Sequence, residues 1–401
     1  MLQIRADISP ASNQQRIKNQ NATLLFDLVR RLSPISRAAL TKTSGLSAAT
    51  VTALVDELLQ GGWLVELGAE ASGARGRRPI NLAVNAARGA VATLEIISDG
   101  FILSVYDIGL RRLTLLRSDI PAVASAPIAV QLYAQLRHLQ LSDEQLLGIH
   151  ILYPGLIDAG TGRLGFSAVI RSWQQCCPTL LPDLQSAFPR AYVMLSNNAA
   201  AVAYSVFTRD LVQPQLPLLV MTVKEGIDAG VVFSGGRSIP LEAGHISIDR
   251  NGPMCNCGNR GCLETLCSTT ALFERLRAAG VDVSYQDTYG SDQNETVMGE
   301  IAARFAAGDT AVTACLRSYG QDLCCALVSL VTLLDVRTIR LGGLLHLLGE
   351  PFAQLLRQTL AADYHILTSA KQLDIRLFDC QYEDARKAAV MQTLEAIFSA
   401  H

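Results

Sequence analysis

The sequence predicts an α/β body preceded by a small, mainly helical module. Three observations carry this expectation. At 401 residues the chain is longer than one hydrophobic core organises, so two or three domains are expected. From about residue 88 apolar strand-like runs alternate with helical stretches, the pattern of an α/β fold. Ahead of that point lie short amphipathic helical segments with a different charge balance. Residues 1–85 carry ten Lys/Arg against six Asp/Glu, and the remainder carries 24 against 30. A basic module before an acidic body suggests an anionic partner for the first part only.

Composition narrows the classes further. A hydrophobic fraction of 49% with 17% charged residues describes a large buried core. No run of about 18 uncharged apolar residues is present to span a membrane. The polar start MLQIRADISPASNQQRIKNQN has no apolar signal core, so a cytoplasmic location is expected. Ten cysteines in such a chain point to free thiols and metal ligands rather than a disulfide framework.

The elements follow in order. In NATLLFDLVRRLS, residues 21–33, Leu24, Leu25, Leu28, Val29 and Leu32 fall on one helical stripe, and Pro34 ends it. SRAALTKTSG offers Ser36 as an N-cap and Gly45 as a stop. LSAATVTALVDELLQGG starts with Ser47 as N-cap and stops at Gly61-Gly62, with Val51, Leu54, Val55, Leu58 and Leu59 as its buried stripe. Three short helices with a glycine turn before the third spell a helix-turn-helix. WLVELGA and INLAVN, joined by EASGARGRRP, add a hairpin wing. Residues 15–85 therefore read as a winged helix-turn-helix DNA-binding domain.

The first turns of a recognition helix face base edges, which nominates Ser47, Ala48, Ala49, Thr50 and Thr52. Ser36 and Arg37 open the second helix, where backbone N–H groups and a cation can hold phosphate. Arg75, Arg77 and Arg78 lie in a Gly-rich turn suited to a minor groove or phosphates. Ordinary helix capping and a solvated basic loop are the competing readings.

Within residues 86–401, VATLEIISDGFILSVYDIGLRRLTLLRSDI is a succession of strands with tight turns. LLGIHILYPG and AYVMLS are apolar strands, and LPLLVMTVKEGIDAGVVFSGG is a hairpin with glycines at its bend. Helices near 296–307 and 311–334, the strand TIRLGG, a helix near 351–361, the strand KQLDIRLFD and a helix from about 384 complete the chain.

One stretch, GHISIDRNGPMCNCGNRGCLE, carries a metal-ligand pattern. His245, Cys255, Cys257 and Cys262 stand at His-x9-Cys-x-Cys-x4-Cys, four ligands for one tetrahedral structural zinc per chain. Gly258 and Gly261 allow the turns that let the thiolates converge. A catalytic zinc would leave one position to water, and a two-cysteine, two-histidine finger would need a second histidine. Cys176, Cys177, Cys267, Cys315, Cys324, Cys325 and Cys380 lack such spacing and read as core thiols.

EAGHISID followed by CNCGNRGCLE resembles the signature of the ROK family, the repressors, open reading frames and sugar kinases. With the helical module in front, the chain is most similar to the NagC/Mlc-like repressor branch of that family. The resemblance implies an actin-like (ribonuclease H-like) two-lobed sugar-kinase fold over 86–401, with the second lobe at about 200–385. It also implies a zinc-braced sugar site and a homodimer or homotetramer.

By the same resemblance, LSNNAAAVAY places Leu195 at a sugar-binding asparagine and Ser196 at the carboxylate base of the kinases. A serine has no pKa suited to that role. The first phosphate loop falls on EIISD, Glu95 to Asp99, without its glycine pair. The second falls on KEGIDAG, which keeps Gly226 and Gly230 around Asp228. Gly342-Gly343 remain on the adenine side, where a glycine pair after a strand also reads as a turn. These losses imply a protein that does not phosphorylate sugar.

Glu242, His245 and Glu264 match the family's sugar contacts, although the segment Gly235 to Glu242 is short. The ligand is then a sugar or sugar phosphate, or else these residues only brace the zinc loop. The implied function is a repressor of carbohydrate uptake or catabolism genes that binds double-stranded operator DNA and senses the sugar in the catalytically dead kinase cleft. The alternatives are an ATP-dependent sugar kinase with an added DNA-binding domain, or a regulator controlled by a protein partner such as a sugar-transport component.

Overall fold

The structure, a computed structural model, describes residues 13–67, 80–120, 125–158, 160–167, 170, 178–209, 214–285, 292–364 and 372–400. Met1 aside, the chain divides into two compact units, one of residues 2–166, 172–196 and 389–401, the other of residues 167–171 and 197–388.

The first unit opens with α1 (Asn13–Leu32), β1 (Ile35–Ser36), α2 (Arg37–Ser44), α3 (Ala48–Gln60), β2 (Leu64–Leu67) and β3 (Asn81–Val84). Ser36 Oγ accepts the Ala39 N–H at the start of α2, and Gly45 ends that helix in the left-handed region at φ 70°. Ser47 Oγ accepts the Thr50 N–H and starts α3. Val51, Leu54, Val55 and Leu58 of α3 are buried, as are Leu25, Phe26 and Val29 of α1 and Leu40 of α2. The second and third helices pack on the first through these residues, with the glycine turn between them. The two strands that follow pair antiparallel, with Leu64 opposite Val84 and β1 on the far edge of β3.

Two expectations for this bundle need correction. The first helix starts at Asn13, eight residues before the segment expected to form it, because NQQRIKNQ is about two largely polar turns with no periodic signal. Its buried face centres on Phe26, fully buried, while Leu24 is 41% exposed, so the aromatic ring rotates the helix away from the all-leucine stripe. Leu32 and Leu59 are half-buried. The wing turn with Arg75, Arg77 and Arg78 lies outside the described residues.

The rest of this unit holds β4 (Ala90–Ile97), β5 (Gly100–Asp107), β6 (Arg112–Ser118), α4 (Ser125–His138), β7 (Leu146–Tyr153), α5 (Leu180–Ala187) and β8 (Tyr192–Asn197). Its sheet has the order β6-β5-β4-β7-β8, an antiparallel meander with β7 added parallel to β4. β4 is buried on both faces through Ile96, which explains its nearly unbroken apolar run.

The second unit contains α6 (Asn198–Arg209), β9 (Leu218–Val223), β10 (Ile227–Val232), β11 (Ser238–Leu241), α7 (Leu263–Cys267), α8 (Thr269–Ala278), α9 (Asp292–Ala306), α10 (Thr310–Leu334), β12 (Thr338–Gly343), α11 (Gly349–Asp363) and β13 (Asp374–Leu377). Its sheet runs β11-β10-β9-β12-β13, again an antiparallel meander extended by parallel strands. The two sheets therefore repeat one strand order without repeating sequence. The last helix, α12 (Tyr382–Ala400), ends in the first unit, where Phe398 packs 5.3 Å from Phe26 and 4.7 Å from Trp63 between ring centroids. Among the described residues no helix is long and apolar enough to cross a membrane.

Candidate metal centre and ligand site

The metal-ligand stretch lies after β11. A 3-10 turn, Ala243–His245, points the chain back, and isolated bridges pair Ser247 with Cys262 and Met254 with Arg260. The Cys255 N–H donates to Asn259 O at 2.8 Å and the Gly258 N–H to Cys255 O at 2.9 Å, closing a tight loop around Cys257. Gly261 has φ 59°, and a Cβ there would lie 1.6 Å from Asp249 O, so the loop closes only on glycine.

This loop brings His245, Cys255, Cys257 and Cys262 together, with their ligand atoms all within 4.8 Å of one another. Cys257 and Cys262 sulfurs are 3.6 Å apart, as are Cys255 Sγ and His245 Nδ1. Tetrahedral zinc with sulfur at about 2.3 Å sets ligand–ligand edges of about 3.7 Å, so the spacing fits. Burial, with the neighbouring Cys257 and Cys255 thiols adding to it, pushes the Cys262 thiol up to about 12. Burial also raises Cys255. A divalent cation would supply the charge that turns such thiols into thiolate ligands.

The second cluster surrounds the first. Glu264, in the first turn of α7, accepts the Ile227 N–H at 3.0 Å, and Gly226 and Gly244 leave room for its carboxylate, since a Cβ on them would stand 3.2 Å and 3.4 Å from Oε2. Burial raises its pKa, against the Ile227 N–H. Asp228, on β10, was legible only as an acid inside a loop. It belongs to this cluster: burial and then the Glu264 and Glu242 carboxylates push it up to about 6, with Lys224 and His245 acting the other way. Glu242, His245, Glu264 and Asp228 thus share one electrostatic environment.

Asp228 is raised in the folded state, so its contribution to stability is complete below its ordinary pKa and is lost as pH rises through about 6. Asp228→Asn is expected to stabilise the protein by about 1–2 kcal/mol at pH ~8, with the gain shrinking towards pH ~5. Chemical denaturation at the two pH values measures the difference.

The glycines of the kinase-like loops have packing roles here. A Cβ on Gly230 would sit 2.6 Å from Ala199 O and 2.8 Å from Ala203 Cβ, so Gly230 admits the alanine face of α6. A Cβ on Gly342 would meet the Phe378 ring at 2.6 Å, and Gly343 turns at φ 71°. Between β4 and β5 the chain makes a two-residue turn, Ser98-Asp99, and the Asp99 carboxylate pairs with Arg117 at 3.1 Å. Ser196, next to last in β8, is 8% exposed, and Leu195 is buried.

At the start of α3, Ser47, Ala48, Ala49 and Thr52 are exposed and Thr50 is half-buried. Thr52 donates to Ala48 O at 2.8 Å, and Ser47 and Thr50 hydroxyls are 2.8 Å apart. Arg37 is engaged within the bundle, with Asp56 at 2.7 Å and Glu66 at 3.0 Å.

Known proteins resemble this chain in sequence and in fold. Xylose repressor of Bacillus subtilis (strain 168) is 30% identical over 288 residues, 69% of this chain and 73% of the repressor. The DNA-binding transcriptional repressor Mlc of Escherichia coli (strain K12) is 26% identical over 274 residues, 65% of each chain. Among solved structures, a ROK family transcriptional regulator described as a homologue of Escherichia coli Mlc superposes with a TM-score of 0.69 at 23% identity, covering 96% of this chain and 98% of that one. The ROK hexokinase of Thermus thermophilus matches with a TM-score of 0.56 at 24% identity over 77% of this chain and 99% of its own. The two sheets are thus the actin-like, kinase-like sheets of that fold. The ROK family model matches residues 128–386, across both units and the whole cysteine–histidine loop, and the chain belongs to the ROK family.

Proposed function

We propose that this protein is a sugar-responsive transcriptional repressor. The winged helix-turn-helix binds operator DNA with Ser47, Ala48, Thr50 and Thr52 at base edges and with Ser36 and the wing arginines at the backbone. Paired modules in a homodimer or homotetramer would read a pseudo-palindromic site. Zinc on His245, Cys255, Cys257 and Cys262 braces the pocket in which Glu242, His245 and Glu264, joined by Asp228, hold sugar hydroxyls. Phosphoryl transfer has no base at Ser196, and its first phosphate loop is replaced by the Asp99–Arg117 turn.

The observation that carries the reading is a helix-turn-helix joined to a ROK body with serine at the base position. The named relatives, a xylose repressor and Mlc, are regulators too. Footprinting on the chain's own upstream region is expected to reveal one protected, sequence-preferred site that D-xylose, D-glucose or N-acetylglucosamine releases. Absence of sequence-preferring binding at moderate salt would overturn the repressor reading, and sugar-dependent ATP turnover lost in Glu264→Gln would establish the kinase reading instead.

A further inference from the structure

The chain leaves the first unit between Ser196 and Asn197 and returns between Ala388 and Ala389, apart from the short excursion at 167–171. One buried imidazole is bonded at the first unit's side of both passages. His150, on β7 and fully buried, has Nε2 2.7 Å from Ser196 Oγ and Nδ1 3.0 Å from Thr393 Oγ1. Thr393 lies one helical turn beyond Ala389, and its hydroxyl donates to Ala389 O at 2.9 Å. A hydroxyl has one hydrogen, so Thr393 Oγ1 accepts from His150, and the network assigns the ring proton to Nδ1. The neutral ring then accepts at Nε2, and the Ser196 hydroxyl donates to it. Burial agrees with a neutral ring, holding His150 down to about 4. With every donor committed, the ring is tied to Ser196 on one side and to Thr393 and the Ala389 carbonyl on the other.

The strand approaches its neighbours as closely as backbone allows. Gly148 lies on the same face of β7 as His150, and a Cβ there would stand 2.5 Å from Thr393 Cγ2 and 2.8 Å from Tyr192 O. Beyond Thr393, α12 continues to Phe398, which packs on Trp63 and Phe26. The Arg88 guanidinium lies over the Trp63 ring at 4.9 Å and holds it from the side of the sheet.

We propose that His150 is a positioning residue that couples the Ser196 passage to the seat of the amino-terminal bundle through α12. The functional meaning rests on the reading of that bundle as the DNA-binding head. Anything that draws the Ser196 hydroxyl from Nε2, a bound polyol included, leaves a fully buried ring acceptor without a donor. The ring then gains by shifting to recover one, and its Nδ1 bond to Thr393, the tie of α12 to the sheet, weakens. A buried network with all donors committed switches between discrete arrangements rather than yielding gradually.

Hydrogen exchange on the full chain, without DNA or sugar, tests the coupling. Ser196→Ala is expected to raise exchange about tenfold in Ala389–Phe398 and in Gly61–Leu67, far from the substituted residue, while α8 to α10 keep wild-type rates. Thr393→Val alone should loosen the same two segments, and Ser196→Ala added to it should change nothing more. His150→Gln should reproduce the Ser196→Ala pattern. An effect confined to β7 and β8, or additive effects in the double variant, would overturn the proposal. Because no operator or sugar enters the measurement, a chain that binds neither can still show or lack the coupling, and the two readings fail separately.

Discussion

Replacing Cys257 with serine is expected to strip the metal from the protein and to cost about 3–5 kcal/mol of stability. The reason lies in how little else holds the loop from Pro253 to Cys262. It contains no helix or strand, only an isolated bridge, a few backbone hydrogen bonds and a convergence of four side chains. Serine supplies a hydroxyl where zinc takes a thiolate, and the remaining thiols revert to the protonated state that burial favours. Metal analysis should find about one zinc per chain in the wild type and a substoichiometric amount in the variant. Thermal unfolding should move down with it. Since ligands must be deprotonated, acidification should release the metal and destabilise the wild type, while the variant loses this pH response. A zinc-free wild type of undiminished stability would exclude the metal. His245 serves both clusters, and Glu264 lies two residues from Cys262, so the substitution should also weaken sugar binding.

The metal loop was legible in the sequence because its chemistry is local: four ligands of restricted type within 18 positions, with glycine where φ must be positive. The same holds for α2 and α3, whose serine caps and glycine stops are short-range devices. Longer-range features were hidden. In the sequence Gly230 and Gly342 resemble remnants of kinase loops, yet in the structure they admit Ala199 and the Phe378 ring. Asp228 gains its partners only when β10 is laid beside the turn before the cysteines and the start of α7. His150 and Thr393 are 243 positions apart, and no periodicity links them. The repeated strand order of the two sheets is likewise a property of pairing, to which many unrelated apolar runs are equivalent.

Changing Arg75, Arg77 and Arg78 together to alanine is expected to weaken operator binding about a hundredfold at moderate salt. Several described cations of the bundle are engaged within it, with Lys42 exposed beside them, which explains why so much falls on one loop. Lys18 pairs with Glu57, Arg30 and Arg31 with Asp27, and Arg37 with Asp56 and Glu66, while Arg88 covers Trp63. Each would have to give up an internal partner to reach a phosphate. The wing arginines then supply most of the counter-ion release, so the slope of log affinity against log salt should fall by about 2–3. Binding to operator and to scrambled duplex should weaken alike. Thr52→Ala provides the contrast, because a residue at the base edges should narrow the gap between operator and scrambled duplex by about 1 kcal/mol and leave the salt slope unchanged. Fluorescence anisotropy on both duplexes across a salt series separates the two effects. An unchanged slope in the triple variant would remove the wing from the DNA and leave α2 and α3 to carry the contact alone.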